Sequence, residues 1–395
     1  MIAFDEAVAL VAAAARPVGT ELVGLELAAG RVLAEPVVAA IDSPRCDVSA
    51  MDGYAVREAD LAGMPARLRI LGESFAGAGW AGAIGPGQCA RIFTGAPVPA
   101  GADRVVIQET VERDGDTAVI AAHPGKALHI RRRGGDFRAG DRLLAAGRRL
   151  GPRALVAAAA ADLAALEVYR QPRAWILSTG DELAEPGTAA ARADAIPESV
   201  SFGIAALATE WGAEVGGRSR LRDDLPAMEQ ESARALGNAD LVIVTGGASV
   251  GEKDFAKAMF APAGLELIFA KVAIKPGKPV WLGRAGGKLV IGLPGNPTSA
   301  MVTARLLLAP LLAGLTGRRS EDALRWRSMP LVAGLSACGP RETFHRARLA
   351  DGTVDVLSNQ DSSAQQALTE ADLLVRQRAG SPALAAGAMV EVLDF

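Results

Sequence analysis

The sequence predicts a multidomain α/β plus β chain. It should combine a three-layer α/β/α domain with a mostly parallel sheet, a β-rich insertion domain, a helical linking domain and a C-terminal β domain. Three observations carry this expectation. Strand and helix signals alternate across residues 172–318, short apolar runs broken by Gly and Pro fill 39–139, and turn-rich strands return over 319–395. At 395 residues the chain also exceeds what one hydrophobic core supports.

The first element is "MIAFDEAVALVAAAARP". Asp5 and Glu6 precede its apolar run and Pro17 ends it, a pattern of an amphipathic helix and not of an export signal, which would open on basic residues. Residues 1–38 pair with 140–171 as the linking domain, whose Ala-rich segment 155–169 reads as a second helix packed on the first. Between them, "RLRILGES", "QCARIFTG" and "DRVVIQETVERDGDTAVIA" are strands of the insertion. In 172–318, "RAWIL" reads as a strand, "VSFGIAALATEW" as a helix and "EVGGRSRL" as a strand. "DDLPAMEQESARAL" has an acidic cap, a proline in its first turn and a glycine beyond its end, so it is a helix. The continuous apolar run "LVIVT" is a buried strand. "LELIFAKVAI" follows as a strand, "PVWLGRAGGKLVIGL" as a hairpin around Gly286 and Gly287, and Pro297 to Leu315 as a long helix. In the tail, "RETFHRARLADGTVDVL" is a hairpin.

Composition excludes several classes. A net charge of −3 gives no field for nucleic acid or an anionic membrane, and no membrane span is expected. Cys46, Cys89 and Cys338 are isolated and odd in number, which argues against disulfides and for a reducing, cytoplasmic setting. His123, His129 and His345 form no ligand pair for zinc.

Two strand-to-turn-to-helix junctions stand out, "LVIVTGGASVGEKDF" (241–255) and "KLVIGLPGNPTSA" (288–300). Amides at a helix N-terminus favour anions, and glycine lets a ligand approach the backbone closely. Gly246 and Gly251 have the spacing of a Walker loop, but Glu252 follows where Lys is needed. Each loop alone could be an ordinary turn; two in one domain point to a phosphorylated ligand. Between them "KVAIKPGKPVW" sets Lys271, Lys275 and Lys278 around a stiffened Pro-Gly-Pro turn, a cationic pattern for a strongly anionic ligand. Asp47, Asp52, Asp136, Asp181, Glu182, Asp223 and Asp224 lie in loops, where they serve as caps or as oxygen ligands for Mg²⁺. Arg131 and Arg133 beside Asp136 are either a solvated face or a phosphate contact.

These segments, with "DSPRCDVSAMDGYAV", "RIFTGAPVPAGADRVVIQE", "RRRGGD", "STGDEL" and "AIKPGKPVWLG", resemble the molybdopterin molybdenumtransferase family, the MoeA group and the E domain of gephyrin-like proteins. The resemblance implies a four-domain, elongated homodimer whose cleft lies between the α/β domain of one subunit and the β insertion of the other. It implies insertion of molybdate into adenylylated molybdopterin with release of AMP and a requirement for Mg²⁺. A molybdopterin adenylyltransferase would be a partner; the alternatives are that this chain is itself such an adenylyltransferase, or a non-catalytic cofactor carrier. By motif position, Asp52, Thr94, Glu182, Asp223 and Asp254 are the activity-critical polar residues. Asp52, Asp136 and Asp223 are the metal ligands. Gly246, Gly247, Ser249 and Gly251 receive the phosphorylated pterin. Lys275, Lys278 and Ser299 neighbour the oxyanion, Pro294 and Pro297 shape the second loop, and Lys271, Gly295 and Asn296 are further substrate-binding residues. Arg131, Arg341, Ser362 and Ser363 are further anion contacts. Two positions depart from the family pattern: "IPESVSFG" carries Val200 where Asn is usual, and Gly135 replaces an acidic residue.

Overall fold

The computed structural model describes residues 1–246 and 255–395. Its central element is the strand Leu241–Thr245, whose five residues are all buried. Because successive strand side chains point to opposite faces, Leu241 and Ile243 enter one hydrophobic core while Val242 and Val244 enter another. A strand apolar throughout therefore requires cover on both sides, which accounts for the three layers.

The sheet runs in the order Glu214–Leu221, Arg173–Thr179, Leu241–Thr245, Lys288–Leu293, Trp281–Ala285, Glu266–Phe269. The first four strands are mutually parallel; Trp281–Ala285 runs against them, and Glu266–Phe269 pairs antiparallel to it at the edge. One face is covered by the helix Leu225–Asn238, where Asp224 accepts from the Ala227 amide at 3.3 Å and a proline occupies the first turn, the expected start signal. The other face is covered by Val200–Glu210 and the long helix from Pro297 to Leu315. That 19-residue apolar helix is 89% buried inside the fold, so it is a core helix. Its middle, Ala304–Leu308, is a π-helical stretch just before Pro310. A helical proline removes one N–H and crowds the preceding turn, and a wider turn accommodates it.

Three local expectations are corrected. The N-terminal helix Phe4–Ala14 does not pack on the Ala-rich segment; its buried face, Phe4, Ala7, Val11 and Ala14, joins the α/β core. The helix there runs Pro152–Ala160 and stops midway through that segment, because Ala165–Tyr169 forms a strand antiparallel to Thr20–Gly24. "LELIFAKVAI" divides into two strands in different sheets. Glu266–Phe269 stays at the α/β edge, while Ile274–Lys275 pairs in parallel with Glu342 and Thr343 of the C-terminal sheet. The insertion carries a six-stranded sheet over residues 53–120, and a second six-stranded sheet organises the tail.

Candidate functional site

The carboxyl ends of Arg173–Thr179, Leu241–Thr245 and Lys288–Leu293 deliver Thr179, Thr245 and Leu293 to one edge of the sheet. Thr245 donates from its hydroxyl to Ser178 Oγ at 3.1 Å, and Thr179 donates to the Thr245 carbonyl at 3.4 Å. The strands thus end in register, and the loops that leave them share one cleft. Gly246 has φ +91°, and a Cβ there would stand 2.4 Å from the Thr179 carbonyl oxygen. Gly295 meets it from the second loop, where an added Cβ would lie 3.2 Å from the Gly246 Cα. The two glycine loops therefore touch, backbone to backbone, as larger residues would forbid.

Two adjoining recesses open here. The first, about 620 Å³, is lined by Glu182, Gly246, Pro294, Gly295, Asn296, Pro297 and Ser363, with an apolar wall of Leu183, Ile196, Pro197, Val200 and Pro279. The second, about 450 Å³, is lined by Lys275, Lys278, Ser299, Arg341 and Ser362. Between them Asn296 donates to Ser362 Oγ at 3.1 Å, tying the second glycine loop to the C-terminal domain. Gly277 makes the lysine turn possible: its φ is +103°, and a Cβ would fall 2.1 Å from Thr303 of the core helix. Ion pairing gives Lys275, Lys278 and Arg341 no carboxylate among the described residues. The carboxylate lining that recess, Asp361, accepts from the Ser363 amide and hydroxyl at 2.8 and 2.6 Å, and the hydroxyl chiefly holds it below the usual carboxylate range. Burial pushes His345 down, so it adds no charge at neutral pH. With three cations against the one carboxylate of Asp361, the second recess is net cationic.

The remaining predicted residues distribute as follows. Asp223 sits at the same sheet edge, its amide donating to Asp181 at 3.1 Å. Lys271 is exposed and outside both recesses. Gly247, Ser249, Gly251 and Asp254 lie outside the described residues. Asp52 and Thr94 are together in the insertion, with the Thr94 amide and hydroxyl donating to Asp52 Oδ1 at 2.8 and 2.7 Å. Those two bonds, the amide first, hold the Asp52 carboxyl below its ordinary value. Arg131 and Asp136 form no ion pair among the described residues; instead Arg132 pairs with Asp47 and Arg133 with Asp42, each at 2.6 Å. No residue of the insertion lines either recess. Among the described residues no three His, Cys, Asp or Glu side chains converge as a metal set, so one chain does not gather Asp52, Asp136 and Asp223.

Sequence reasoning missed Thr343, His345 and Gln360 of the second recess. Thr343 and His345 come from a sheet joined to the lysine turn by a two-residue pairing that carries no periodic signal, and Gln360 from a loop beside that sheet.

The comparisons with known proteins converge. Residues 2–161 match a family described as MoeA N-terminal region (domain I and II), 175–314 a probable molybdopterin binding domain, and 329–395 the MoeA C-terminal region (domain IV). A molybdopterin molybdenumtransferase of Haemophilus influenzae is 38% identical over 84% of this chain and 80% of its own. That of Synechococcus elongatus is 34% identical over 95% and 94%. The chain belongs to the molybdopterin molybdenumtransferase family. A crystal structure of a molybdopterin biosynthesis MoeA protein from Pyrococcus horikoshii superimposes with TM-score 0.85 at 30% identity, covering 99% of this chain and 98% of that one.

Within the molybdenumtransferase frame, both departures have local explanations. Val200 is nearly buried in the α/β core at the cleft wall. The helix cap is not lost with it, because buried Glu198 accepts from the Ser201 amide at 2.8 Å and the Ser201 hydroxyl at 2.5 Å. Gly135 donates to the Arg132 carbonyl in a tight turn, where a Cβ would lie 2.9 Å from that oxygen. Cys89 is buried, its thiol pushed up to about 12, so it is no nucleophile.

Proposed function

We propose that this chain is a molybdopterin molybdenumtransferase that inserts molybdate into adenylylated molybdopterin and releases AMP. The observation that carries the reading is the pairing of recesses: a large, apolar-walled cleft closed by the bare backbone of Gly246 and Gly295 beside a smaller pocket where Lys275, Lys278 and Arg341 outnumber the one carboxylate, Asp361. The apolar wall suits a flat pterin. Its phosphates lie against the glycine loops, where close approach is possible. The oxyanion is held by the two ammonium groups and the guanidinium, which offset its repulsion from the phosphates of the first ligand. The thiols that capture molybdenum belong to the pterin, in keeping with a cleft lined by no cysteine.

Mg²⁺ fits the donor chemistry. This ion takes one or two carboxylates plus water and substrate phosphate, and Glu182, which lines the cleft, with Asp181 beside it in sequence, could supply them. When bound there, it would neutralise charge on the departing phosphate. We further propose a homodimer in which the partner subunit's insertion brings the Asp52 and Thr94 pair to the cleft. The support is that this pair is exposed and distant in sequence from every residue lining the two recesses.

The test is single-turnover AMP release from preformed adenylylated molybdopterin. Release should depend on molybdate, and Lys275→Ala should raise the molybdate KM about tenfold, the loss of about 1.4 kcal/mol of charge-assisted binding. ATP consumption with free molybdopterin, and no molybdate-dependent AMP release, would instead identify an adenylyltransferase.

A further inference from the structure

At the amino-terminal ends of Arg173–Thr179 and Glu214–Leu221, away from the recesses, a crevice of about 20 Å³ separates the linking segments from the α/β domain. Arg31, Arg149 and Arg170 line one side, and Glu210, Trp211 and Arg318 the other. Two of the four arginines are committed. Arg31 pairs with Glu21 and donates to the Tyr169 carbonyl at 2.9 Å, and Arg170 donates to the Val18 carbonyl at 2.9 Å. The other two have no carboxylate in ion-pair reach among the described residues. Arg149 reaches only the Gly30 carbonyl at 3.3 Å, and the Arg318 guanidinium lies 4.5 Å from the Trp211 ring centre. Of the nearby acids, Asp322 pairs with Arg325 at 3.3 Å and acts on Arg318 only from a distance, and Glu210 is the one carboxylate lining the crevice against its four arginines. Burial, then the charge of Arg149, pushes the Arg318 guanidinium below its ordinary value, so the two cations sense each other.

We propose that this crevice binds a small tetrahedral oxyanion, sulfate or phosphate, between Arg149 and Arg318. Guanidinium forks match such an ion. The enclosed volume holds little more than one water, so the anion sits at the mouth, where exposed Arg149 closes over it. One ligand then bridges the linking domain and the α/β domain beside the chain crossing at Gln171 and Pro172, and fixes their mutual orientation. The crevice shares no residue with the two recesses.

Thermal melting and calorimetric titration of the full chain with sodium sulfate, and separately sodium phosphate, test this at ionic strength held constant with sodium chloride. Melting temperature should rise with the oxyanion, because a ligand of the native state alone stabilises by mass action. The arm with lower Kd identifies the preferred ion. Lys275→Ala should keep the rise, separating this crevice from the molybdate recess. Arg149→Gln and Arg318→Gln should each weaken binding about tenfold. Arg149 is exposed, so its variant remains informative where Arg318→Gln fails to fold. A rise that follows ionic strength alone, disappears in Lys275→Ala, or persists unchanged in Arg149→Gln overturns the proposal.

Discussion

Backbone clearance and hydrogen-bond donors set the chemistry of individual positions. At Gly246 a methyl group meets both a left-handed φ of +91° and the Thr179 carbonyl oxygen. Neither obstacle can rotate away, since the carbonyl belongs to a central strand. Gly246→Ala should therefore lower unfolding stability by about 2–4 kcal/mol in urea titration and abolish AMP release. Thr94 acts differently, through protonation. Its amide and hydroxyl both favour ionised Asp52, whose folded value is below the ordinary 3.8. A carboxyl depressed on folding contributes stability that is present above 3.8 and lost as pH falls through the folded value. Thr94→Val removes the hydroxyl bond, so Asp52 should titrate closer to 3.8 by carboxyl NMR, and the acid limb of the stability profile should become shallower. An unchanged Asp52 titration would sink that assignment.

At the scale of elements, legibility in the sequence follows locality. "LVIVT", the helix opened by Asp224, the Gly286-Gly287 hairpin and the long helix from Pro297 were readable because each has its own period or terminal signal. Short elements were not. Ile274–Lys275 looked continuous with the strand before it, yet it serves another sheet, and Ala165–Tyr169 was hidden in an alanine run that favours helix. The second glycine loop, the start of the first at Gly246 and the lysine turn were legible for the same reason as the strands: their unusual residues are adjacent. What seats the C-terminal side of the oxyanion recess was not. Arg346 is fully buried and donates to the carbonyls of Asn359 and Asp361 at 3.0 and 3.1 Å. Gln360 accepts from the Arg346 amide at 3.0 Å and donates back to its carbonyl at 2.9 Å. This clamp fixes the loop that carries Ser362 and Ser363. Gln360→Ala should raise the molybdate KM about tenfold while kcat stays within about twofold, because it displaces a binding loop and no reacting group. An equal fall in kcat at unchanged KM would reject the clamp as a positioning device.

At the scale of the whole molecule, the arrangement of one chain poses a problem that the proposed second chain would resolve. The recesses are built from the α/β and C-terminal domains, whereas Asp52 and Thr94 lie in turns beside the strands Gly53–Val56 and Gln88–Ile92 of a separate sheet that contributes nothing to their walls. If the partner subunit supplies that pair, each active site draws on two chains, and defects in different domains should complement. Asp52→Ala removes the insertion's contribution from both sites of its own dimer, and Lys275→Ala removes the oxyanion holder from both sites of its own. In a mixed dimer one site receives both lesions and the other receives neither. Unfolding and refolding the two variants together at equal amounts, then assaying at molybdate well below KM where Lys275→Ala releases little AMP, should therefore restore roughly a quarter of wild-type AMP release, since random pairing makes half the dimers mixed and each has one intact site. If Asp52 served the cleft of its own chain, each mixed dimer would contain one Asp52-defective and one Lys275-defective site, and mixing would restore nothing. The same null result from chains shown by sedimentation to remain monomeric would reject the dimer itself, so activity and mass measured on one sample separate the two failures.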